Sequence, residues 1–182
     1  AGWRILRRAS SRRSRQFQYN EAMRTLLRHQ CYPAPRLAAG RALADYRLAT
    51  AMMDLSDGLM IDLDRLCLAS GVGATLTAGQ LPISPALAAY ARTVRQDPLN
   101  FALAGGEDYE LLFTVRPAAA ARCARLLKRL RVACRVIGRI DRPRSGDPVH
   151  ILHSGRTRSL RAFAADRRIG GFEHFAKGRS PR

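Results

Sequence analysis

Apolar positions along the chain recur at two spacings, and the alternation between them predicts a layered protein. Helical spacing predicts helices over about residues 19–30, 37–45, 57–70, 86–94, 97–104 and 118–130. Compact apolar runs predict strands over residues 48–55, 73–77, 109–115, 134–140 and 149–152, the first of them buried. Because strands and helices alternate, the pattern predicts an α+β fold: a layered mixed sheet with helices packed on it.

Charge is spread unevenly along the chain. The net charge is +18, and the excess lies at the two ends. Residues 1–36 hold nine arginines and one acid, and residues 155–182 hold eight basic and two acidic residues. Aromatic residues are not interleaved with these cations as they are in RNA-binding motifs, so we predict no specific nucleic-acid partner. Electrostatic attraction to phosphorylated small molecules stays open.

An acidic block, Asp-Leu-Ser-Asp-Gly, follows the first predicted strand. Asp54 ends that strand, and Ser56 or Asp57 is expected to cap the next helix. Free N–H groups at a helix start suit phosphate, and Gly58 lets a ligand approach the backbone. Carboxylates at this position also suit Mg²⁺, which takes oxygen ligands and bridges to phosphates. A simple helix cap is the alternative, but it accounts for only one acid; Asp62, about one turn further on, is expected to reach the same site.

A second acidic block, Gly-Gly-Glu-Asp-Tyr-Glu, leads into the third predicted strand. Gly105 and Gly106 allow backbone conformations that other residues avoid. Glu107, Asp108 and Glu110 place three carboxylates beside them. A hairpin turn with solvated acids is the alternative, and it accounts better for Glu110 than for the first four residues of the block.

Several other classes of site find little support. The four cysteines form no C-x-x-C pair, so we expect free thiols in a reducing cytoplasm rather than a zinc site. No apolar run approaches the ~20 residues that span a bilayer, so no membrane partner is expected. The aromatic residues Phe172 and Phe175 near the end of the chain either pack on a planar ligand ring or anchor the tail.

In these residues the chain resembles the thiamine-monophosphate kinase family of the aminoimidazole-ribonucleotide-synthetase-like superfamily. The similar segments, in family order, are residues 33–36, 54–63, 70–74, 81–84, 105–114, 137–140 and 171–175. The resemblance implies the carboxy-terminal domain of that fold. It places this domain at residues 32–175, after a basic arm at 1–31 that is disordered or partly helical and before a basic tail at 176–182.

The resemblance also implies a function. It implies ATP-dependent phosphorylation of thiamine monophosphate to thiamine diphosphate, with Mg²⁺, by a cytoplasmic homodimer. At the matching motif positions, Asp54 and Asp57 resemble Mg²⁺ ligands and Ser56 an ATP contact. The substrate contacts implied in the same way are Glu107, Phe175 and, less closely matched, Phe172. Residues expected to support the site are Gly58, Asp62, Gly105, Gly106 and Asp108.

One part of the family pattern has no counterpart in this sequence. The family carries an amino-terminal domain with a Gly-Asp-Asp metal motif and much of the ATP site, and residues 1–31 are too short and too basic to replace it. We therefore expect a fragment or a truncated gene product that contributes half of the site. We also expect exposed sheet surface that favours self-association. The alternatives are another ATP-dependent enzyme of the superfamily, or a non-catalytic basic module that binds phosphate or nucleic acid.

Overall fold

The structure is a computed structural model that describes residues 1–9, 19–143 and 145–169. Its helices are α1 (Gly2–Ala9), α2 (Glu21–Cys31), α3 (Leu37–Asp45), α4 (Leu59–Ser70), α5 (Pro85–Thr93), α6 (Pro98–Ala104), α7 (Ala120–Arg129) and α8 (Leu160–Asp166). Its strands are β1 (Ala49–Asp54), β2 (Gly73–Thr77), β3 (Leu111–Val115), β4 (Gly138–Asp141), β5 (Val149–His153) and β6 (Arg156–Ser159). Short 3-10 turns lie at Ala78–Gln80 and Pro117–Ala119.

Polar side chains fix the start of four helices. Each of these helices is preceded by a residue whose side-chain oxygen accepts a hydrogen bond from a backbone N–H of the first turn. These residues are Asn20 before α2, Ser84 before α5, Asp97 before α6 and Ser159 before α8. Pro85 and Pro98 occupy the first turn of α5 and α6, where proline lacks only an N–H that has no helical partner. Local sequence therefore sets where these helices begin.

The strands form two sheets. The larger has the order β4–β2–β5–β6, in which β2 is antiparallel to β4 and parallel to β5, and β5 is antiparallel to β6. Strands β1 and β3 form a separate antiparallel pair, the β1–β3 ribbon, in which Asp54 lies opposite Leu111. A mixed sheet together with packed helices confirms the predicted α+β class. The ribbon also brings the two acidic blocks to one end.

Two apolar clusters lie on either side of the ribbon. The main cluster joins the larger sheet to α4, α6 and α8, and its members include Leu63, Leu76, Leu103, Ile151 and Phe163. The smaller cluster joins α3 and α7 through Ala39, Leu43, Cys123 and Leu127. Alternate residues of β3 divide between them, because Leu112 packs in the main cluster whereas Leu111 and Phe113 pack against the smaller one.

The prediction that the first strand is buried is wrong. Thr50, Met52 and Asp54 of β1 are exposed, and the residues between them are only partly buried. The reason is that β1 pairs with a single strand and alternate side chains point to opposite faces of the ribbon. Apolar composition alone does not reveal how many neighbours a strand has.

Other differences concern elements that carry weak apolar signals. The pattern does not predict β6, since the sequence Arg-Thr-Arg-Ser contains no apolar residue. It does not predict α1 either, yet this part of the basic arm is helical and its Ile5 is fully buried. The domain boundaries that the resemblance implies stay predictions. None of the helices in the described ranges is long and apolar enough to cross a membrane.

We expect Leu103→Ala to lower the free energy of unfolding by about 2–5 kcal/mol, because it leaves a cavity in the main cluster. Leu103 of α6 has no exposed surface. Leu68→Ala is the matched control, since Leu68 is also a helical leucine but is 63% exposed, and it should change stability by less than about 0.5 kcal/mol. Urea denaturation followed by circular dichroism measures both. Equal losses in the two variants would contradict the assigned core.

Candidate functional site

One buried carboxylate holds the first loop, which we define as residues 55–58 between β1 and α4. Asp62 has no exposed surface, and its Oδ2 atom accepts hydrogen bonds of 3.0 Å from the N–H groups of Ser56, Asp57 and Gly58. Burial raises the pKa of Asp62, and the three N–H groups oppose this rise. Asp62 therefore occupies the N–H groups of residues 56–58, whereas α4 itself begins at Leu59, so the prediction that N–H groups at the helix start bind phosphate stays a prediction.

Neither Ser56 nor Asp57 caps α4, which begins two residues later than predicted. The N-cap is Gly58, with a φ of 105° and no side-chain hydrogen bond. A Cβ atom on Gly58 would lie 3.0 Å from the carbonyl oxygen of Gly105. Glycine is therefore favoured here both by the backbone conformation and by the close approach of the second acidic block.

The second loop, residues 105–110, is hydrogen-bonded directly to the first. The N–H of Glu107 donates to the carbonyl oxygen of Ser56 at 2.7 Å, and the N–H of Tyr109 donates to that of Leu55 at 2.9 Å. A Cβ on Gly106 would lie 2.6 Å from the same Ser56 oxygen. Glu107 and Tyr109 adopt φ values of 63° and 51°, which is why β3 starts two residues later than predicted. The two acidic blocks thus form one rim.

The carboxylates proposed as ligands have different surroundings. Asp54 is exposed at the end of β1. The Asp57 side chain is 12% exposed and forms an ion pair with Arg65, whose own side chain is 58% exposed. Glu107 is partly buried and accepts a hydrogen bond of 2.9 Å from Nε2 of Gln30. Asp57 is therefore neutralised within the protein, whereas Asp54 is open to solvent.

The remaining acids of the second loop play separate parts. Glu110 accepts hydrogen bonds of 2.6 and 2.9 Å from the guanidinium of Arg36, which agrees with a structural role for this residue. The pKa of Asp108 is raised, mainly because its carboxyl group loses hydration although the residue as a whole is exposed. The positive charge of the Ala1 amino group opposes that rise.

A cavity of about 420 Å³ opens beside the second loop. Gly105, Gly106 and Glu107 line it, and Trp3 and Phe101 contribute aromatic walls. The remaining lining residues are Ala1, Arg4, Gln30, Gln96, Asn100, Ala104, Arg167, Arg168 and Ile169. The structure therefore brings the predicted substrate residue Glu107 to a cavity, while Asp54, Ser56 and Asp57 lie outside the cavity lining.

Most of the cavity wall comes from residues that the sequence pattern does not single out. Arg4 of α1 lies over the ring of Phe101, with 5.3 Å from Cζ to the ring centroid, and donates to Gln96 at 2.6 Å. Trp3, the one tryptophan of the sequence, is the only signal that could have pointed to α1. Phe172 and Phe175 lie outside the described residues.

Two carboxylates of the rim have the chemistry that Mg²⁺ requires of its ligands. In the described ranges, no group of three or more His, Cys, Asp or Glu side chains is arranged to hold a metal ion. Mg²⁺ is commonly held by one or two carboxylates while water and substrate phosphates supply the other ligands. Asp54 and Asp57 would supply these one or two carboxylates if the ion pair between Arg65 and Asp57 breaks. The exposed side chain of Arg65 leaves it room to do so.

Comparison with known proteins identifies relatives of this arrangement. The family described as AIR synthase related protein, C-terminal domain, matches residues 11–150. A thiamine-monophosphate kinase of Haemophilus influenzae is 35% identical over 157 residues, which make up 81% of this chain and 42% of that protein. The chain thus spans less than half the length of this relative.

Solved structures of thiamine-monophosphate kinases are also similar to this chain. The structure of AaThiL complexed with AMPPCP and TMP has a TM-score of 0.69 and 26% identity, over 96% of this chain and 47% of that one. The thiamine-monophosphate kinase of Stenotrophomonas maltophilia K279a has a TM-score of 0.68 and 32% identity, over 82% of this chain and 45% of that one. The similarity in structure therefore extends over most of this chain.

We expect Asp62→Ala to lower the free energy of unfolding by at least about 3 kcal/mol, because three backbone donors lose their acceptor. Asp64→Ala is the matched control on the same helix. Asp64 is only partly buried and pairs at 2.9 Å with Arg161, whose side chain is 63% exposed, so its loss should cost less than about 1 kcal/mol. Urea denaturation compares the two variants. A loss for Asp62→Ala no larger than that of the control would show that the first loop does not depend on this carboxylate.

Proposed function

This chain belongs to the family of AIR synthase related proteins through their C-terminal domain, and on that premise we propose that it is the carboxy-terminal part of a thiamine-phosphate kinase. The proposed reaction is the ATP- and Mg²⁺-dependent phosphorylation of thiamine monophosphate to thiamine diphosphate. The observation that carries the proposal is the 2.7 Å hydrogen bond between the N–H of Glu107 and the carbonyl oxygen of Ser56. It places the candidate nucleotide and metal residues directly beside the candidate substrate residue.

The proposed roles are those that the resemblance implies at these positions. Asp54 and Asp57 hold Mg²⁺, and Ser56 contacts ATP from the same loop. When bound, the metal neutralises the charge of phosphate groups that would otherwise repel one another. Without a bound metal, Arg65 forms an ion pair with Asp57. In this proposal the ion pair breaks when the metal and the nucleotide bind. Asp62 keeps the loop in place throughout, since its three hydrogen bonds are to backbone groups.

The cavity beside Glu107 suits the thiamine part of the substrate. Thiamine has two aromatic rings, one of which carries a positive charge, and the cavity offers the ring of Trp3 and the Glu107 carboxylate. Arg4 already lies over the ring of Phe101, so Phe101 contributes an apolar wall. Gln30 fixes the orientation of that carboxylate by a 2.9 Å hydrogen bond. Phe172 and Phe175 stay in the proposal as the substrate contacts that the resemblance implies.

In the proposed reaction a terminal oxygen of thiamine monophosphate attacks the γ-phosphorus of ATP in line with the bond that breaks. The new O–P bond forms as ADP leaves with the electrons of the old one. No side chain of this chain needs to act as a nucleophile, because positioning of the two phosphates supplies most of the rate enhancement. Residues outside this chain supply the rest of the nucleotide site.

A cytoplasmic homodimer is part of the same proposal. The support for self-association is the ribbon: among the residues that the structure describes, β1 pairs with no strand other than β3, and its Thr50 and Met52 are exposed. An exposed strand face with an apolar residue favours contact with a second copy.

Titration calorimetry with the Asp54→Asn/Asp57→Asn double variant tests the proposal. Wild-type protein should bind AMPPCP in a Mg²⁺-dependent way and then thiamine monophosphate. The double variant should lose at least about tenfold in AMPPCP affinity in the presence of Mg²⁺, which corresponds to about 1.4 kcal/mol.

Asp45→Asn/Asp166→Asn is the matched control, because both residues are exposed and the charge change is the same. It should bind within about twofold of wild type, a difference of less than about 0.5 kcal/mol. Equal affinities of the two double variants for AMPPCP, or an absence of Mg²⁺ dependence in wild-type protein that is folded, would overturn the proposed roles of Asp54 and Asp57.

A further inference from the structure

The charges of the central part of the chain are segregated. Residues 37–110, which contain both acidic loops, hold five basic and nine acidic residues. Residues 111–140 hold eight basic residues and no acidic one, and the structure describes all thirty of them. An arginine-rich composition alone would spread cations among the acids, so this separation is a property of the surface rather than of the composition.

Most of these cations lie on one face of the fold. In α7 the buried residues are Cys123 and Leu127, and the opposite side carries exposed cations. We define the α7 basic face as Arg122, Arg125, Lys128 and Arg129 of the helix together with Arg131 and Arg135 of the segment that follows, all of them exposed. Arg122, Arg125 and Arg129 lie three, four or seven positions apart, which places them along one side of α7, and Lys128 is adjacent to Arg129.

The cations of this face differ from the arginines that the structure pairs with carboxylates. Arg36, Arg65, Arg161 and Arg167 each form an ion pair with an acid that is distant or one to two turns away in the sequence. Within the described parts of the chain, none of the six cations of the α7 basic face forms an ion pair. Arg122 instead lies over the ring of Tyr46, at 5.7 Å from its centroid. Six guanidinium or ammonium groups therefore repel one another without compensation from nearby carboxylates.

We propose that the α7 basic face binds the phosphate backbone of nucleic acid without sequence specificity. Arginine suits this partner, because its planar guanidinium donates two parallel hydrogen bonds to phosphate oxygens. Residues 122 and 129 lie about 10 Å apart along α7 at 1.5 Å per residue, so the face spans more than one phosphate of a strand. The proposed interaction is independent of the reaction proposed for the acidic loops.

A nucleic acid fits this face better than a membrane surface does. Within α7 the exposed residues other than the cations are the small Ala121 and Ala124, and exposed large apolar residues, Leu130 and Val136, occur only in the segment that follows the helix. A helix that lies in a membrane presents large apolar side chains along its own length. A small anion is also a poorer match, because the cations are spread along a convex helix and are not gathered around a cavity. An extended polyanion matches cations that are spread along a helix better than a small anion does.

Fluorescence anisotropy with a labelled 24-base-pair DNA duplex tests the proposal over a range of salt concentrations. If about five phosphates are neutralised, the logarithm of the association constant should fall with that of the salt concentration with a slope near −4 to −5. The variant Arg122→Gln/Arg125→Gln/Arg129→Gln should have a slope shallower by about 2 to 3 and bind at least about tenfold more weakly at 100 mM salt.

The matched control is Arg24→Gln/Arg28→Gln/Arg92→Gln, which removes the same charge from exposed positions on α2 and α5. It should bind the duplex within about twofold of wild type at the same salt concentration. Replacement of the three α7 arginines by lysine should restore most of the binding, which separates loss of charge from loss of folding.

Three results would overturn the proposal. Equal losses in the α7 variant and the control would mean that the overall charge of +18 attracts the duplex. Absence of binding at 50 mM salt would exclude the interaction. Binding to vesicles that contain phosphatidylserine, without binding to the duplex, would assign the face to a membrane surface instead.

Discussion

The carboxylate of Asp62 is the contact on which the arrangement of the candidate site depends. It lies inside the protein and accepts three backbone hydrogen bonds from consecutive residues of the first loop. A buried carboxylate is costly unless such donors surround it, and a loop with three unpaired N–H groups is costly in turn. The cost of burying the carboxylate and the cost of leaving three N–H groups unpaired are both avoided when the groups bond to each other. The backbone conformation of the first loop therefore depends on the Asp62 side chain.

The second loop depends on the first in the same way. With Ser56 fixed, its carbonyl oxygen and that of Leu55 accept the N–H groups of Glu107 and Tyr109. Glycine at 58 and 106 permits the backbones to approach closely. Asp54, Asp57 and Glu107 consequently share one rim, although about fifty residues of sequence separate the outer two. In this account, the Arg65–Asp57 ion pair is the part of the rim that changes when a metal and a nucleotide bind.

The sequence predicts some of this arrangement and not the rest. The acidic blocks, the strands that lead to them and the mixed α+β class follow from apolar spacing and from glycine and carboxylate patterns. The role of Asp62 does not follow, because a carboxylate in the first turn of a helix is ordinarily exposed. The same carboxylate occupies the N–H groups of residues 56–58, which the sequence does not predict either. The sequence does not predict that α1 contributes to the cavity wall. An arginine-rich segment is expected to be a solvated arm, whereas the structure buries its Ile5.

Hydrogen exchange of individual amides, followed by NMR over increasing urea below the unfolding transition, tests the central claim most directly. The claim is that Asp62 joins the two loops into one structural unit. The account predicts that the amides of Ser56, Asp57, Gly58, Glu107 and Tyr109 are protected and that they open with the same free energy and urea dependence. Rapid exchange at residues 56–58, or opening of the second loop while the first stays protected with a different urea dependence, would contradict it.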